Sequence, residues 1–496
     1  MKNGGFTMIK VSIIGAGPGG LAVGLLLAAR GHEVDIFEKD DRVGGRSQAV
    51  TLGRYHFDLG PTFLMQVDVL RAVFAAADLA LEDYVKLIPV EPLYDLIFKD
   101  NVFRPSRYRD KTHTELERLF PGELDHYERF MRDEATRYNK IAPLMQRPFE
   151  HWYDYFKPDA LKALPHIVPF RSVHGKLKRY FEDANLIHAM SFQSKYLGMS
   201  AWKAPGFFTM LSYLEHAYGL YHVQGGLNKI NDALADAIRA LGGRIHLNTP
   251  VAQLLTQKRT VTGLQLENGE TYPADCVVAN ADFAYFAHNL LDETLKIPHA
   301  PRKLHTMRYA ISTYMMYLGL DKRYDLPHHT FVFADNYAQS VKTMTEKNTL
   351  DTDITVYVHN PSLIDNTLAP PGHSALYILV PVPNNDSQIN WESYKITFKA
   401  TILKRIEEKL GIYDIEQHII EEKIMTPLDW EKNHHVYKGA VFNLSHTFSQ
   451  LFYFRPHNAY RSLKHLFLVG GGTHPGSGLA SIYQSAIITA NLIDPK

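Results

Sequence analysis

The stretch VSIIGAGPGGLAVGLLLAARGHEVDIFEKD, Val11 to Asp40, decides the fold of this chain. Val11 to Ile14 form a β-type run, and Gly15, Gly17 and Gly20 follow in the spacing GxGxxG. That spacing supplies a tight turn, a close approach of main chain to a pyrophosphate, and close packing of helix on strand. The helix that follows aims its N-terminal amides at the phosphates. Gly31 suits the left-handed residue that ends it. A second strand, EVDIFEK, brings Glu38 to its carboxyl end, about twenty residues beyond the glycines, where a carboxylate accepts hydrogen bonds from ribose hydroxyls. Strand, helix, cap and acid together specify a βαβ dinucleotide unit.

The next residues narrow the cofactor. DRVGGRSQAV places Arg42, Gly44, Gly45 and Arg46 directly after the acidic strand. A second glycine pair lets the chain pass near the pyrophosphate, and an arginine adds charge-assisted hydrogen bonds. A nicotinamide dehydrogenase has no need of it, whereas flavoproteins of the glutathione-reductase type carry it. The chain closes on a third glycine-rich run, LVGGGTHPGSG from Leu468 to Gly478. Glycine costs roughly 0.5–1 kcal/mol relative to alanine inside an element, so the run implies a ligand pressed against bare main chain.

Bulk properties set the frame. With 496 residues the chain is too long for one core. The 53 Lys and Arg balance 53 Asp and Glu, which gives no basis for nucleic acid as a partner. The single cysteine, Cys276, excludes internal disulfides and thiolate metal clusters. Histidines are many, but His328-His329 and His434-His435 are adjacent pairs without the i, i+4 spacing of a zinc helix, so no metal is expected. The uncharged run Val11 to Ala29 mimics a membrane span, yet it divides into strand and small-residue helix. No other stretch approaches spanning length, and a cytoplasmic chain without a transmembrane helix is expected.

RVGGRSQAVTLGRYHFDLGPTFL and the closing LFLVGGGTHPGSGLASIYQSA resemble the bacterial carotenoid desaturases, the phytoene and diapophytoene (dehydrosqualene) desaturases. YGLYHVQGGLNKINDALADAI, VVANADF, LAPPGHSALYILVPVP and FYFRPHN are similar to family landmarks in the same order. The resemblance implies noncovalent FAD and stepwise removal of hydrogen from a linear, lipid-soluble polyene precursor. It implies quinone or oxygen as electron acceptor and peripheral attachment to the inner face of the cell membrane. Carried over by position, the FAD contacts are Gly15, Gly17, Gly20, Glu38, Gly45, Arg46, Val251, Gly472, Thr473 and Gly478. Asp154, in HWYDYFK, matches an aspartate proposed as acid/base in the family. His474 fits a hydrogen bond that fixes backbone better than a base. A carotenoid oxygenase forming terminal aldehydes and a redox-neutral carotenoid isomerase stay open on the same fold.

The expected architecture is α/β: a glutathione-reductase-type, Rossmann-like FAD lobe with an inserted α+β substrate lobe. The FAD lobe is discontinuous, at residues 9–103, 221–291 and 436–496; the inserts 104–220 and 292–435 build the substrate and membrane-associating lobe. A β-meander turns at Asn268-Gly269. KNTLDTDITVYVHNP and SALYILVPVP alternate as strands. FKPDALKALPHIVPFRSVHGKLKRYFED interleaves Lys157, Lys162, Arg171, Lys176, Lys178 and Arg179 with apolar residues, which suits an anionic membrane surface or an ordinary amphipathic face.

Overall fold

The strand Lys10–Ile14 lies at the centre of a five-stranded parallel sheet. The computed structural model describes residues 8–167, 171–291 and 304–495. Strand order is Leu466–Leu468, Cys276–Ala279, Lys10–Ile14, Glu33–Phe37, Arg244–His246, so strands from both ends of the chain share one sheet. The helix Pro18–Ala29 is buried over nearly its whole length, which explains its apolar residues all round. It packs in one core with the C-terminal helix Leu479–Ile493 through Leu21, Leu25, Tyr483 and Ala486. Arg30 joins their ends, donating from Nη1 to the carbonyl oxygens of Ala490 at 2.8 Å and Asp494 at 2.6 Å. Among the described residues no helix is long and apolar enough to cross a membrane.

The meander Val251–Gln257, Thr260–Leu266, Thr271–Pro273 turns at Asn268-Gly269, where Gly269 has φ +90°. A second, seven-stranded sheet runs in the order Ile419–Met425, Ser312–Leu320, Ser374–Val382, Val356–His359, His329–Val332, Asp95–Ile97, Val102–Phe103. Its strands are antiparallel except where His329–Val332 meets Asp95–Ile97. Residues 95–103, assigned from sequence to the first lobe, therefore pair into this second sheet. Short apolar strands name no partner, so nothing local in the sequence separates the two sheets there.

Alternation along the central strands sends side chains two ways. Tyr314, Met316, Leu318, Leu376 and Ile378 pack with the long helix Trp391–Leu410. Met315, Tyr317, Ala375 and Tyr377 face the opposite core, shared with the helices Leu124–Met145 and Met210–Tyr218. That inner face becomes one wall of the site. Of the basic residues expected on an outer face, Lys176 is buried, with Nζ 2.5 Å from Glu134 and 2.6 Å from the Thr209 hydroxyl. Its neighbours in sequence do not disclose that the carboxylate of a remote helix waits inside. Residues 168–170 of that stretch lie outside the described residues.

Candidate functional site

The first glycine turn is held by Gly15, whose N–H donates to the Phe37 carbonyl at 2.8 Å while its φ is +92°. A Cβ on Gly20 would sit 2.1 Å from the Gly15 carbonyl oxygen, so the third glycine is required for helix-on-strand contact. The helix Pro18–Ala29 begins at Gly17 with no side-chain cap, leaving its first amides to a ligand. Gly44 donates to the Ala16 carbonyl at 2.8 Å, and this bond lays the second glycine turn against the first. The helix Leu479–Ile493 begins in the same way at Gly478, with φ +100° and no capping side chain. A Cβ on Gly478 would enter open space in the cavity.

These turns converge. Gly15, Gly17, Glu38, Gly45, Arg46, Val251, Gly472 and Gly478 all line one cavity of about 460 Å³. Gly20 and Thr473 do not line it: the first makes the packing contact just described. The Thr473 hydroxyl donates to the Gly470 carbonyl at 2.8 Å and meets Ser485 Oγ at 3.2 Å, shaping the loop from behind. The Glu38 carboxylate accepts from the amides of Ala16 at 2.8 Å and Asp40 at 3.0 Å. Burial raises its pKa against those two hydrogen bonds. Arg46 donates to the Val441 carbonyl at 2.9 Å and lies 4.0 Å from Asp282.

Three residues of this end were not legible as parts of it. Asn280 follows the strand between the two glycine-bearing strands, and its Nδ2 donates to the Gly15 carbonyl at 3.1 Å. The same side chain would lie 3.2 Å from a Cβ on Gly470, so one amide spans both glycine turns. Asp282 caps the turn at Phe283–Tyr285, and its other oxygen accepts from Asn443 Nδ2 at 2.6 Å. Arg455 is buried behind the closing loop. Its guanidinium donates to the carbonyls of Gly471 at 2.5 Å, Thr473 at 2.9 Å and Gln450 at 3.3 Å, and burial pushes it down to about 9. The amides of Thr473 and His474 are taken by the carbonyls of Gly470 and Pro456, while Gly471 and Gly472 line the cavity.

The far end of the cavity changes character. Phe63, Phe331, Tyr357, Tyr377, Met315 and Leu379 form its wall from the inner face of the seven-stranded sheet and the segment before it. Phe63 stacks on His329 at 4.3 Å, and Phe331 on Tyr357 at 4.6 Å. Lys195 also lines the cavity, with its ammonium 4.5 Å from the centre of the Tyr337 ring. Burial pushes the Lys195 amine down to about 7.

Asp154 is not among the lining residues. Its carboxylate accepts from the His151 amide and pairs with Lys157 Nζ, both at 2.8 Å, closing the turn Trp152–Phe156. Against the pull of burial, Lys157, the His151 amide and Arg147 hold it below the usual carboxylate range. His474 is buried and donates from Nε2 to the Arg147 carbonyl at 3.0 Å; burial drives it down to about 3, so it fixes backbone as a neutral ring. Burial also pushes the Cys276 thiol up to about 12, which makes it unreactive.

Bare helix N-termini, glycine turns from both chain ends and a buried carboxylate form a cradle that fits a dinucleotide, and the polar atoms present suit FAD. Residues 18–494 match the family model described as flavin containing amine oxidoreductase. A 4,4'-diapophytoene desaturase (4,4'-diapolycopene-forming) from Methylomonas sp is 44% identical over 98% of this chain and 95% of its own length. An all-trans-zeta-carotene desaturase from Myxococcus xanthus is 34% identical over 99% of this chain and 94% of its own. The crystal structure of an oxidoreductase from Methanosarcina mazei superposes with a TM-score of 0.67 at 17% identity, covering 97% of this chain and 99% of that one. Fold, cradle and relatives agree: the chain belongs to the flavin-containing amine oxidoreductase family and, within it, to the FAD-dependent carotenoid desaturases.

Proposed function

We propose that this protein removes hydrogen stepwise from a linear carotenoid precursor of the 4,4'-diapophytoene class, extending its conjugated polyene. The observation that carries this reading is the continuity of one cavity, polar and glycine-lined at one end and walled by Phe63, Phe331, Tyr357 and Tyr377 at the other. A hydrocarbon offers no heteroatom to grip, so shape and apolar contact must position it. The Methylomonas relative supports the choice of precursor.

FAD supplies the hydride acceptor when bound. Gly15, Gly17, Gly45, Gly472, Gly478 and Val251 present main chain to it, Glu38 receives its ribose hydroxyls, and Arg46 serves its pyrophosphate. Gly20 and Thr473 act one layer behind, by shaping the turns. As a C–H bond of the polyene yields hydride, the neighbouring carbon must give up a proton for the double bond to close. Lys195 is the proton acceptor in this reading: it lines the apolar half, and burial leaves its amine free of charge just above neutrality. Asp154 is committed to its surface turn and receives no chemical step.

That turn has another use. Trp152 and Phe156 are each 64% exposed, with Tyr153, Leu161 and Leu164 also bare and Lys157 and Lys162 among them. Aromatic and aliphatic side chains beside lysines suit an anionic membrane surface, where the precursor dissolves. Quinone or oxygen then serves as the final electron acceptor. The FAD lobe is discontinuous and the substrate lobe inserted, as the two sheets suggest, with residues 95–103 on the substrate side. Expression in cells that make 4,4'-diapophytoene tests the reading. The expected product absorbs at longer wavelength and has lost hydrogen in pairs without gaining oxygen; an unchanged polyene overturns it.

A further inference from the structure

Beneath the aromatic wall of the cavity lies a cluster of buried histidines that the desaturation chemistry does not use. His222 sits on the strand Leu220–Val223, His328 just before His329–Val332, and His359 at the end of Val356–His359. All three are buried. Their rings crowd together, with centroids 5.1 Å apart for His222 and His328 and 4.7 Å for His328 and His359. Read along the sequence, 222, 328 and 359 have no ligand spacing, and the pair His328-His329 spoke against a metal. Strand pairing overrides that, because it brings remote positions together.

The hydrogen bonding is one-sided. His222 Nε2 lies 2.9 Å from Asp365 Oδ2, so the proton is on Nε2 and the lone pair on Nδ1. His328 Nδ1 faces His329 Nε2 at 3.0 Å, and a relay continues from His329 Nδ1 to the Tyr357 hydroxyl and on to Thr62, each at 2.8 Å. What remains is His222 Nδ1, His328 Nε2 and His359 Nε2, buried and without a hydrogen-bond partner. Orphaned buried polar atoms are rare, and three in one cluster ask for a shared partner. One ring nitrogen from each histidine lies within 4.8 Å of the other two. A tetrahedral zinc site holds its nitrogens about 3.4 Å apart at Zn–N distances of about 2.0–2.1 Å, so modest ring rotations close the gap.

We infer that His222, His328 and His359 form a buried three-histidine site for a divalent metal ion of the zinc class, oriented by Asp365. A carboxylate that fixes the tautomer of a ligating imidazole is the usual outer support of such a site. Asp365 is itself held by the Gly225 amide at 2.6 Å and the Thr367 amide at 3.0 Å, both donating to its carboxylate. Its charge offsets that of a dication. The role is structural: the ion ties together strands that carry Phe331 and Tyr357 into the cavity, and His329, stacked under Phe63, belongs to the same knot. No metal step enters the reaction.

The test uses the flavin-loaded full chain, incubated with Zn(II) or Co(II), dialysed, and analysed for bound metal. About one ion per chain is expected, with a visible cobalt spectrum of tetrahedral nitrogen ligation. His328→Ala and His359→Ala should each lower bound metal at least about tenfold, and Asp365→Asn should weaken affinity about 10–100-fold. His418→Ala, which alters a histidine paired with Asp321 elsewhere, should retain the ion. A strong chelator should lower the wild-type melting temperature, and zinc but not magnesium should restore it. Wild-type protein that keeps FAD yet retains no metal and shows no cobalt spectrum overturns the site and leaves a buried water as the shared partner. Should a histidine variant fail to fold, the wild-type metal content and cobalt spectrum still decide.

Discussion

Arg455 Nη2 donates to the carbonyl oxygen of Gly471 at 2.5 Å, from the side of the closing loop that faces away from the cavity. This fully buried cation holds the loop by its oxygens and so fixes Gly471 and Gly472, which line the cavity. Arg455→Met keeps the volume and removes the donors, leaving several carbonyls unsatisfied at about 1–3 kcal/mol each. The expected outcome is a lower melting temperature and FAD affinity weakened more than about tenfold, read by flavin fluorescence titration. Unchanged FAD affinity would reduce Arg455 to a packing residue.

Two glycines should fail in different ways. Gly20→Ala drives a Cβ to 2.1 Å from the Gly15 carbonyl and should prevent the nucleotide lobe from assembling. Gly478→Ala meets no protein atom within 4 Å, although its φ of +100° with ψ 144° is a backbone conformation essentially reserved for glycine and costs about 1–3 kcal/mol for another residue. It should therefore fold, melt somewhat earlier, and bind FAD poorly because the new methyl occupies the cradle. Circular dichroism with FAD titration separates the two. Full FAD binding by Gly478→Ala would place the cofactor elsewhere.

Lys195 sets the expected pH dependence. Burial lowers its pKa to about 7, so the amine holds a proton below that pH and accepts one above it. The wild-type rate should rise as pH passes upward through about 7 and then level off. Lys195→Met should remove that rising limb and lower kcat about 10²–10⁴-fold, the usual range for a positioned base. A variant that keeps both limb and rate relieves Lys195 of the role.

If the exposed turn Trp152–Phe156 is the proposed membrane contact, changes there should separate vesicle binding from chemistry. Trp152→Ser with Phe156→Ser removes two side chains worth about 1.5–3 kcal/mol each when fully buried in an apolar phase. Binding to anionic lipid vesicles should fall more than about tenfold in a sedimentation assay, with kcat on detergent-dispersed substrate retained. Asp154→Ala loosens the same turn, at about 1 kcal/mol for a lost cap, and should weaken vesicle binding while sparing kcat. Loss of kcat alone in Asp154→Ala would restore it as acid/base.

What was legible in the sequence was whatever chemistry acts along the chain. Gly15, Gly17 and Gly20, the helix after them and Glu38 form a local unit, and Asn268-Gly269 states its own turn. Local spacing says nothing of what arrives from elsewhere. Asn280 matters because its strand lies between two glycine strands drawn from opposite ends of the chain. Lys176 reads as surface charge until Glu134 meets it inside, and nothing in HWYDYFK tells that the Asp154 carboxylate closes its own turn. Residues 95–103 carry no mark of which sheet they join, since strands of two or three residues hold too little pattern to choose.

Anaerobic mixing of FAD-loaded protein with 4,4'-diapophytoene in lipid vesicles, followed through the flavin absorbance and the mass of the extracted polyene, decides whether the flavin takes hydrogen from the polyene. The flavin should bleach as a product lighter by a pair of hydrogens forms, and its yellow colour should return when quinone or oxygen is admitted. A flavin that stays oxidised in contact with the polyene, or a product that gains oxygen on admission of air without losing hydrogen first, would contradict it.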